Sequence, residues 1–198
     1  DIVVDSYDEV LIRLRALYGL KSTAGTKLVA INGMGGWGAS KEMIEPVVNN
    51  TWKIEVIPVS SDELSRRLKK RKSNTRLIEN ARSEMEKYLT QSGILAVNTE
   101  KNFVLSSFLL RDEFKDLISE NNAHGITVRG CMSFGKVAET TPCLPFSLIN
   151  DEGLMAFCES DFVVIPSGVL MRHISGKPVF LSDPTFPHDG ITTCAHCS

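Results

Sequence analysis

Three side chains in the last third of the sequence are of the types that a catalytic divalent cation requires. Glu159 and Asp183 each border a short apolar run, at 162–166 and 178–182, that has the length and composition of a strand. His196 ends a third such run, ITTCAH. Two carboxylates and one imidazole supply hard oxygen and nitrogen ligands, and they leave positions open for water or substrate. The pattern predicts a catalytic cation site formed by these three residues.

The segment between the first two runs predicts how the carboxylates come together. Residues 167–176, SGVLMRHISG, are long enough for a crossover helix, so the runs at 162–166 and 178–182 are predicted to be adjacent parallel strands. Residues that leave the same end of such strands converge on a crevice, where open α/β sheets bind ligands. The predicted strand at 125–131 ends near the same edge, which makes Arg129 a candidate substrate-binding residue, with a surface ion pair as the alternative.

Four short motifs resemble the middle of the L-fucose isomerase and L-arabinose isomerase superfamily, especially its fucose-isomerase-like members. They are LINDEG at 148–153, CESD at 158–161, SGKPVFLSDP at 175–184 and AHC at 195–197. The resemblance is good over 120–197 and looser before that.

This resemblance implies an activity and a set of residue roles. The activity is the Mn²⁺-dependent isomerisation of a free sugar such as L-fucose or L-arabinose between its aldose and ketose forms, through an enediolate. Glu159 and Asp183 would be both metal ligands and the catalytic acid and base, and His196 would complete the metal site. The resemblance also implies a homo-oligomer when the protein is full length, of which this chain would be an internal piece that is inactive by itself.

A glycine motif offers a different interpretation of the first strand-to-helix turn. Gly33, Gly35 and Gly38 spell G-x-G-x-x-G directly after the strand predicted at 27–32, which is the pattern of a dinucleotide-binding turn. Trp37 lies inside the turn, where a pyrophosphate would bind. A structural or sugar-contacting turn is favoured, and no cofactor-binding role is assigned. Two alternatives to the isomerase stay open: a non-catalytic sugar-binding α/β module and a dinucleotide-dependent oxidoreductase.

Composition and charge narrow the class of protein. The 198 residues are 42% hydrophobic and 23% charged, which is ordinary for a globular chain. The net charge of −2 gives no long-range field that favours nucleic acid or an anionic membrane, and no apolar run has the length of a transmembrane helix. The five cysteines match neither a disulfide framework nor a zinc site, so we expect reduced thiols in a cytoplasmic protein.

Alternating strand and helix patterns predict an α/β fold, a three-layer Rossmann-like sandwich with a mostly parallel sheet. A second strand is predicted over 52–59, and helices are predicted over 5–20, from residue 40, and over 61–72, 75–92, 102–122 and 144–160. We expect residues 1–20 to be a helix from a preceding domain, 21–175 to be the Rossmann-like middle domain of a sugar isomerase, and 176–198 to begin a truncated C-terminal domain.

Overall fold

The computed structural model describes residues 5–94, 96–184 and 186–196. Its main sheet has four strands, all parallel, in the order β2-β1-β3-β4. The strands are β1 Lys27–Ile31, β2 Glu55–Val59, β3 Gly125–Val128 and β4 Met155–Phe157. Helices cover both faces, so the α/β class and the three-layer Rossmann-like architecture predicted from the sequence are confirmed.

The described helices lie between and around these strands. They are α1 Tyr7–Thr23, α2 Lys41–Pro46, α3 Ser61–Lys72, α4 Thr75–Leu89, α5 Lys101–Glu120, α6 Gly135–Ala138, α7 Cys143–Asp151 and α8 Ile165–Ser175. A π-helical stretch, Val47–Trp52, continues α2, and a 3-10 turn, Cys131–Ser133, precedes α6. None of the described helices combines the length and the apolar character that crossing a bilayer requires.

Strand β1 shows why the sheet needs helices on both sides. Val29 and Ile31 belong to the core shared with α3, α5, α6 and α7, whereas Leu28 and Ala30 belong to the core shared with α2 and α8. Successive side chains of a strand face opposite sides of a sheet, and all four are fully buried. A continuous apolar run is typical of a parallel strand that is covered on both faces.

Two helices form outer contacts with the sandwich. Helix α4 packs against α5 through a third apolar cluster that contains Ala81, Met85 and Phe108. Helix α1 packs against α8, and a Cβ at Gly19 would collide with the side chain of Ile174. The helix predicted over 5–20 is therefore present and lies against α8, while the division of the chain into domains stays a prediction.

The apolar run at 162–166 is not a strand, and that prediction was wrong. Asp161 begins a helical turn instead: its Oδ1 accepts the backbone N–H of Val163 at 3.0 Å, and its carbonyl accepts that of Ile165 at 2.9 Å. Pro166 fits the first turn of α8, where its missing N–H is not needed. Phe162 and Ile165 are buried in the core, whereas Val163 and Val164 between them are exposed, so the run does not form a uniformly buried strand.

The helix predicted over 144–160 is wrong in its second half. Helix α7 ends at Asp151, and Gly153, at φ +90°, makes the turn into β4. The side chain of Asn150 then donates to the carbonyl of Ala156 at 2.9 Å and accepts its N–H at 3.1 Å. These two bonds cover the outer edge of β4, which is the last strand of the sheet.

The strand predicted over 178–182 is also wrong, because these residues carry no regular secondary structure. The neighbouring strands β5, Asp183–Pro184, and β6, Cys194–Ala195, form a separate antiparallel two-stranded sheet. Helix α8 consequently does not connect two parallel strands of the main sheet. The predicted parallel pair, with Glu159 beside one strand and Asp183 beside the other, does not exist within the described residues.

Candidate functional site

The carboxyl edge of the main sheet contains a topological switch point between β1 and β3. From β1 the chain passes first to β2 on one side, and later to β3 on the other. Sheets of this kind bind small ligands at such a point, so the loops that follow β1 and β3 define the candidate switch-point crevice. The loop after β4 borders the loop after β1, because Gly35 and Asp161 form a parallel β-bridge.

Glu159 lies in the loop after β4, on a backbone that its surroundings hold in an unusual conformation. Glu159 and Ser160 have φ values of +62° and +53°, in the left-handed region that few side-chain-bearing residues adopt. The N–H of Ser160 donates to Thr127 Oγ1 at 3.0 Å, and its hydroxyl donates to the carbonyl of Gly33 at 2.8 Å. Strained backbone that is held by several bonds of this kind is concentrated at functional sites.

Trp37 holds the side chain of Glu159. The indole Nε1 donates a 2.8 Å hydrogen bond to Glu159 Oε2, and Trp37 nevertheless remains 75% exposed. A carboxylate also faces the backbone of this loop, because Asp161 Oδ1 accepts the N–H of Trp37 at 3.4 Å. A half-buried carboxylate and an exposed aromatic face therefore lie side by side at the edge of the crevice.

Asn32 connects the loops that leave β1, β2 and β3. It follows β1 directly, at φ +63°, which asparagine tolerates better than most residues. Its Oδ1 accepts the N–H of Ser61, after β2, at 3.0 Å, and its Nδ2 donates to the carbonyl of Arg129, after β3, at 3.3 Å. The crevice is thus built on backbone that is fixed to the sheet.

Arg129 lies at this same edge, in agreement with its predicted position after the strand at 125–131. Its side chain passes over Gly35, where an added Cβ would be 3.1 Å from the guanidinium Nε. Among the described residues, no carboxylate lies within ion-pairing distance of Arg129, so the predicted alternative of a surface ion pair is not observed there.

Asp183 and His196 lie together, outside the strands of the main sheet. His196 Nδ1 is 3.9 Å from Asp183 Oδ2, a separation too long for a hydrogen bond. The imidazole is only 12% exposed, and neither ring nitrogen has a hydrogen-bond partner among the described residues. It lines a cavity of about 430 Å³ between α7, β4 and the segment 178–181, together with Cys158, the residue before Glu159.

The three predicted cation ligands are therefore not assembled into one group. Within residues 5–94, 96–184 and 186–196, no set of three or more His, Cys, Asp or Glu side chains is close enough to hold a metal ion. The unpartnered nitrogens of His196 beside Asp183 suit a ligand pair, whereas Glu159 Oε2 is bonded to Trp37. The donor set does not fit a three-ligand site in this arrangement, and Mn²⁺ stays a prediction.

The glycine turn at 33–38 has charges that oppose a dinucleotide. A pyrophosphate needs free N–H groups and a positive potential at such a turn. Here the N–H of Trp37 already has the carboxylate of Asp161 as its acceptor, and the carboxylate of Glu159 is bonded to the indole. The geometry favours the structural or sugar-contacting interpretation of the turn over the dinucleotide one.

No protein-family model matches the chain, and no curated protein matches it at significant similarity. The resemblance to the fucose and arabinose isomerases therefore rests on the four sequence motifs.

Three contributors to the crevice were not identified from the sequence. The glycine motif predicted that Trp37 obstructs a pyrophosphate and assigned it no binding role, and no role was predicted for Asn32 or Thr127. An aromatic residue within a glycine-rich turn that follows a buried strand was the available signal for Trp37, because such a turn leaves a large side chain exposed at the ligand-binding edge. The pairing of Trp37 with Glu159 had no sequence signal, since 122 positions separate them.

Proposed function

We propose that this chain carries part of the active site of a metal-dependent aldose–ketose isomerase that acts on a free sugar such as L-fucose or L-arabinose. The observation that supports this most strongly is the hydrogen bond from Trp37 Nε1 to Glu159 Oε2 at the switch-point crevice. It joins a carboxylate, which can move a proton, to an exposed aromatic face, which can hold a sugar ring.

Glu159 is the proposed catalytic base and acid. Isomerisation removes a proton from the carbon beside the carbonyl and returns it to the neighbouring carbon, and a positioned carboxylate can perform both transfers. The bond from Trp37 occupies Oε2, while Oε1 has no hydrogen-bond partner among the described residues. The indole therefore fixes the orientation of the carboxylate and leaves one oxygen to accept the proton.

Trp37 is the proposed platform for the sugar ring. The face of an indole is large and apolar, and its polar N–H lies at one edge. The C–H groups of a sugar ring can pack on that face while its hydroxyls remain available to polar groups nearby. Because the N–H of Trp37 is bonded to Glu159, a ring on the indole would lie next to the carboxylate.

Mn²⁺ is the proposed cation, with Glu159, Asp183 and His196 as its ligands. A divalent cation, when bound, would stabilise the negative charge that develops on the substrate oxygens. Asp183 and His196 already approach each other to 3.9 Å. Glu159 and the pair of Asp183 and His196 come from different segments of the chain. The proposal therefore requires that these segments bring all three side chains around one ion, which can be tested.

The cytoplasm is the proposed compartment, and a homo-oligomer is the proposed state of the full-length protein. Among the described residues, Cys131, Cys143 and Cys194 are free thiols, which suits a reducing environment.

A sugar-binding module without catalysis is the second candidate. The pairing of an exposed Trp37 with Glu159 favours it independently of any metal, because an aromatic face and a hydrogen-bonding carboxylate are sufficient to bind a sugar. The two candidates differ in proton exchange: only the isomerase exchanges the C2 proton of an aldose with solvent.

The test is ketose formation in D₂O by the full-length protein with L-fucose or L-arabinose and Mn²⁺, followed by NMR of the C2 proton. Glu159→Gln keeps an oxygen that can accept from Trp37 and removes the base, so activity is expected to fall by about 10²-fold or more. Glu79→Gln makes the same change on the exposed surface of α4 and is expected to retain activity.

Several results would count against the isomerase. An active Glu159→Gln variant would remove Glu159 from the mechanism. A melting temperature that does not respond to Mn²⁺ would argue against the metal site, since a ligand that binds only the folded state raises stability. Sugar binding without C2 exchange would select the binding module, and quenching or enhancement of NADH fluorescence on titration with protein would select the oxidoreductase.

A further inference from the structure

We propose that Arg129 binds an anionic group of the substrate, a carboxylate or a phosphate, at the end remote from the reacting carbons. The inference rests on the proposed function and extends its substrate class from neutral free sugars to sugars that carry an acidic group. It makes Arg129 a specificity-determining residue of the switch-point crevice.

The loops at the crevice carry three charged residues, Arg129, Glu159 and Asp161, and only one of them lacks a partner. Glu159 Oε2 accepts from the indole of Trp37, and Asp161 Oδ1 accepts the N–H groups of Trp37 and Val163. Arg129 has no carboxylate within 4.0 Å and no side-chain hydrogen bond among the described residues. The crevice therefore offers an unused positive charge to a ligand.

The position of Arg129 is fixed by its backbone. Its N–H donates to the carbonyl of Ile31 at 2.9 Å, and its own carbonyl accepts from Asn32 Nδ2 at 3.3 Å. The side chain then lies on Gly35, and an added Cβ there would be 3.3 Å from Cδ and 3.1 Å from Nε. The exposed side chain of Arg129 thus lies against the loop that carries Trp37, with its guanidinium open to solvent.

Three of the less exposed arginines in the fold are paired with carboxylates, whereas exposed arginines such as Arg15 and Arg82 have no ion pair among the described residues. Arg67 and Arg71 on α3 both bond to Glu113 on α5, and Arg111 bonds to Glu84 and Asp112. Arg129 differs from these three in its place at a ligand-binding edge as well as in its lack of an acidic neighbour. A planar guanidinium presents paired N–H donors that match the two oxygens of a carboxylate or phosphate.

Charge separation in the crevice gives the substrate a direction. Glu159 and Arg129 are more than 4.0 Å apart, so they do not neutralise each other. An acidic sugar on Trp37 can place its anionic end at Arg129 and its carbonyl end at Glu159, whereas the reverse orientation would bring two negative charges together. The same arrangement would disfavour a pyrophosphate, whose charge is not confined to one end.

The test compares matched pairs of ligands by calorimetry with the full-length protein. Each pair compares an acidic sugar with its neutral counterpart. D-glucuronate and D-glucose 6-phosphate are each compared with D-glucose. D-galacturonate and D-galactose 6-phosphate are each compared with D-galactose. We expect at least one acidic sugar to bind about tenfold or more tightly than its neutral counterpart, the range for a charge-assisted hydrogen bond. The uronate and phosphate arms identify which anion is recognised.

Variants then assign the preference to Arg129. Arg129→Gln should reduce the ratio of acidic to neutral affinity to about one, and Arg129→Lys should keep part of it. Arg15→Gln, on the exposed surface of α1, removes the same charge away from the crevice and should leave the ratio unchanged. Circular dichroism of each variant separates a binding loss from unfolding.

Each outcome bears on one proposal or the other. An equal or better affinity for neutral sugars, or a preference that survives Arg129→Gln, would overturn the role of Arg129 and leave the isomerase standing if C2 exchange is observed. An Arg129-dependent preference without C2 exchange would support the anion site and overturn the isomerase. A lack of binding by every acidic and neutral sugar in the panel would overturn the role of Arg129, while the isomerase is decided separately by C2 exchange with L-fucose or L-arabinose.

Discussion

Two regions of the molecule contain arginines and carboxylates in close quarters, and they use them differently. Between α3 and α5, Glu113 bonds to Arg67 and Arg71, and Arg71 also pairs with Asp116. Glu113 and Arg71 are only 4% and 8% exposed. At the crevice, by contrast, Arg129 is unpaired within the described residues, and Glu159 bonds to a neutral indole.

The difference separates a structural use of charge from a functional one. A buried charge is tolerated when each member has an oppositely charged partner, as on α3 and α5. At the crevice the charges are left available to a ligand and do not stabilise the fold in this way. The backbone there also adopts left-handed φ values at Glu159 and Ser160, which is costly for residues with side chains. The comparison predicts that substitutions in the first region change unfolding, and that those at the crevice change ligand binding.

The largest effect on stability is expected from Glu113→Gln. The change leaves Arg71 buried without its carboxylate and removes a partner of Arg67, so unfolding free energy should fall by about 3–5 kcal/mol, the range for breaking a buried pair. Urea denaturation of the folded chain measures it. Glu120→Gln removes a carboxylate that also pairs with Arg67 but is 55% exposed, and it should cost less than about 1 kcal/mol. Equal losses in the two variants would mean that the burial of the network has no energetic consequence.

A smaller effect, on stability and on sugar binding together, is expected from Thr127→Val. The buried hydroxyl of Thr127 donates to the carbonyl of Phe157 at 2.8 Å and accepts the N–H of Ser160 at 3.0 Å. Its loss leaves those groups without a partner and should cost about 1–3 kcal/mol.

Because Ser160 is next to Glu159, the Thr127→Val variant should also bind sugar less tightly than its stability loss alone explains, which calorimetry on the still-folded protein would measure. Thr75→Val, at the exposed start of α4, is the matched control. Loss of stability with unaltered sugar affinity would show that Thr127 does not position Glu159.

The smallest effect is expected from His173, at the opposite edge of the sheet from the crevice. Burial lowers the pKa of His173 below its ordinary value, and the positive charges of His124 and Arg172 lower it further. The unfolded chain therefore binds the proton more readily than the folded protein does. The contribution of His173 to stability is present above the ordinary histidine pKa of about 6.5, and it is lost as the pH falls below that value.

His173→Gln should weaken this dependence while keeping an amide that can reach Thr26 Oγ1, the present neighbour of His173 Nε2 at 3.3 Å. Urea midpoints at pH 7 and pH 5 compare the two proteins. An identical pH dependence in both would mean that other groups are responsible for it.

Elements with a clear period were predictable from the sequence, and elements shaped by long-range contacts were not. Strand β1 and helix α3 follow patterns that lie wholly within their own residues, an uninterrupted apolar run and a capped amphipathic stretch. The run at 162–166 has the same local composition as a strand. It became a turn and the start of α8, in which Asp161 accepts the backbone N–H groups of Val163 and Ile165.

The candidate site was predicted only in part, and for the same reason. Glu159 and Arg129 lie at the carboxyl edge as expected, although Glu159 follows β4 rather than preceding a strand. Asp183 was predicted to share that edge and instead belongs to the small antiparallel sheet with His196 nearby. The placement of Asp183 depended on a strand pairing, and strand pairing is decided by partners that local composition does not specify.

By itself, the sequence determined the α/β class, the buried central strand and the positions of the chemically competent side chains, because periodicity and residue type are local properties. The tertiary structure alone decided that Trp37 bonds to Glu159, that Asn32 ties three loops together and that Arg129 is left unpaired over Gly35. Those contacts join residues that are far apart along the chain. They exist only because the parallel sheet brings the ends of its strands to one edge.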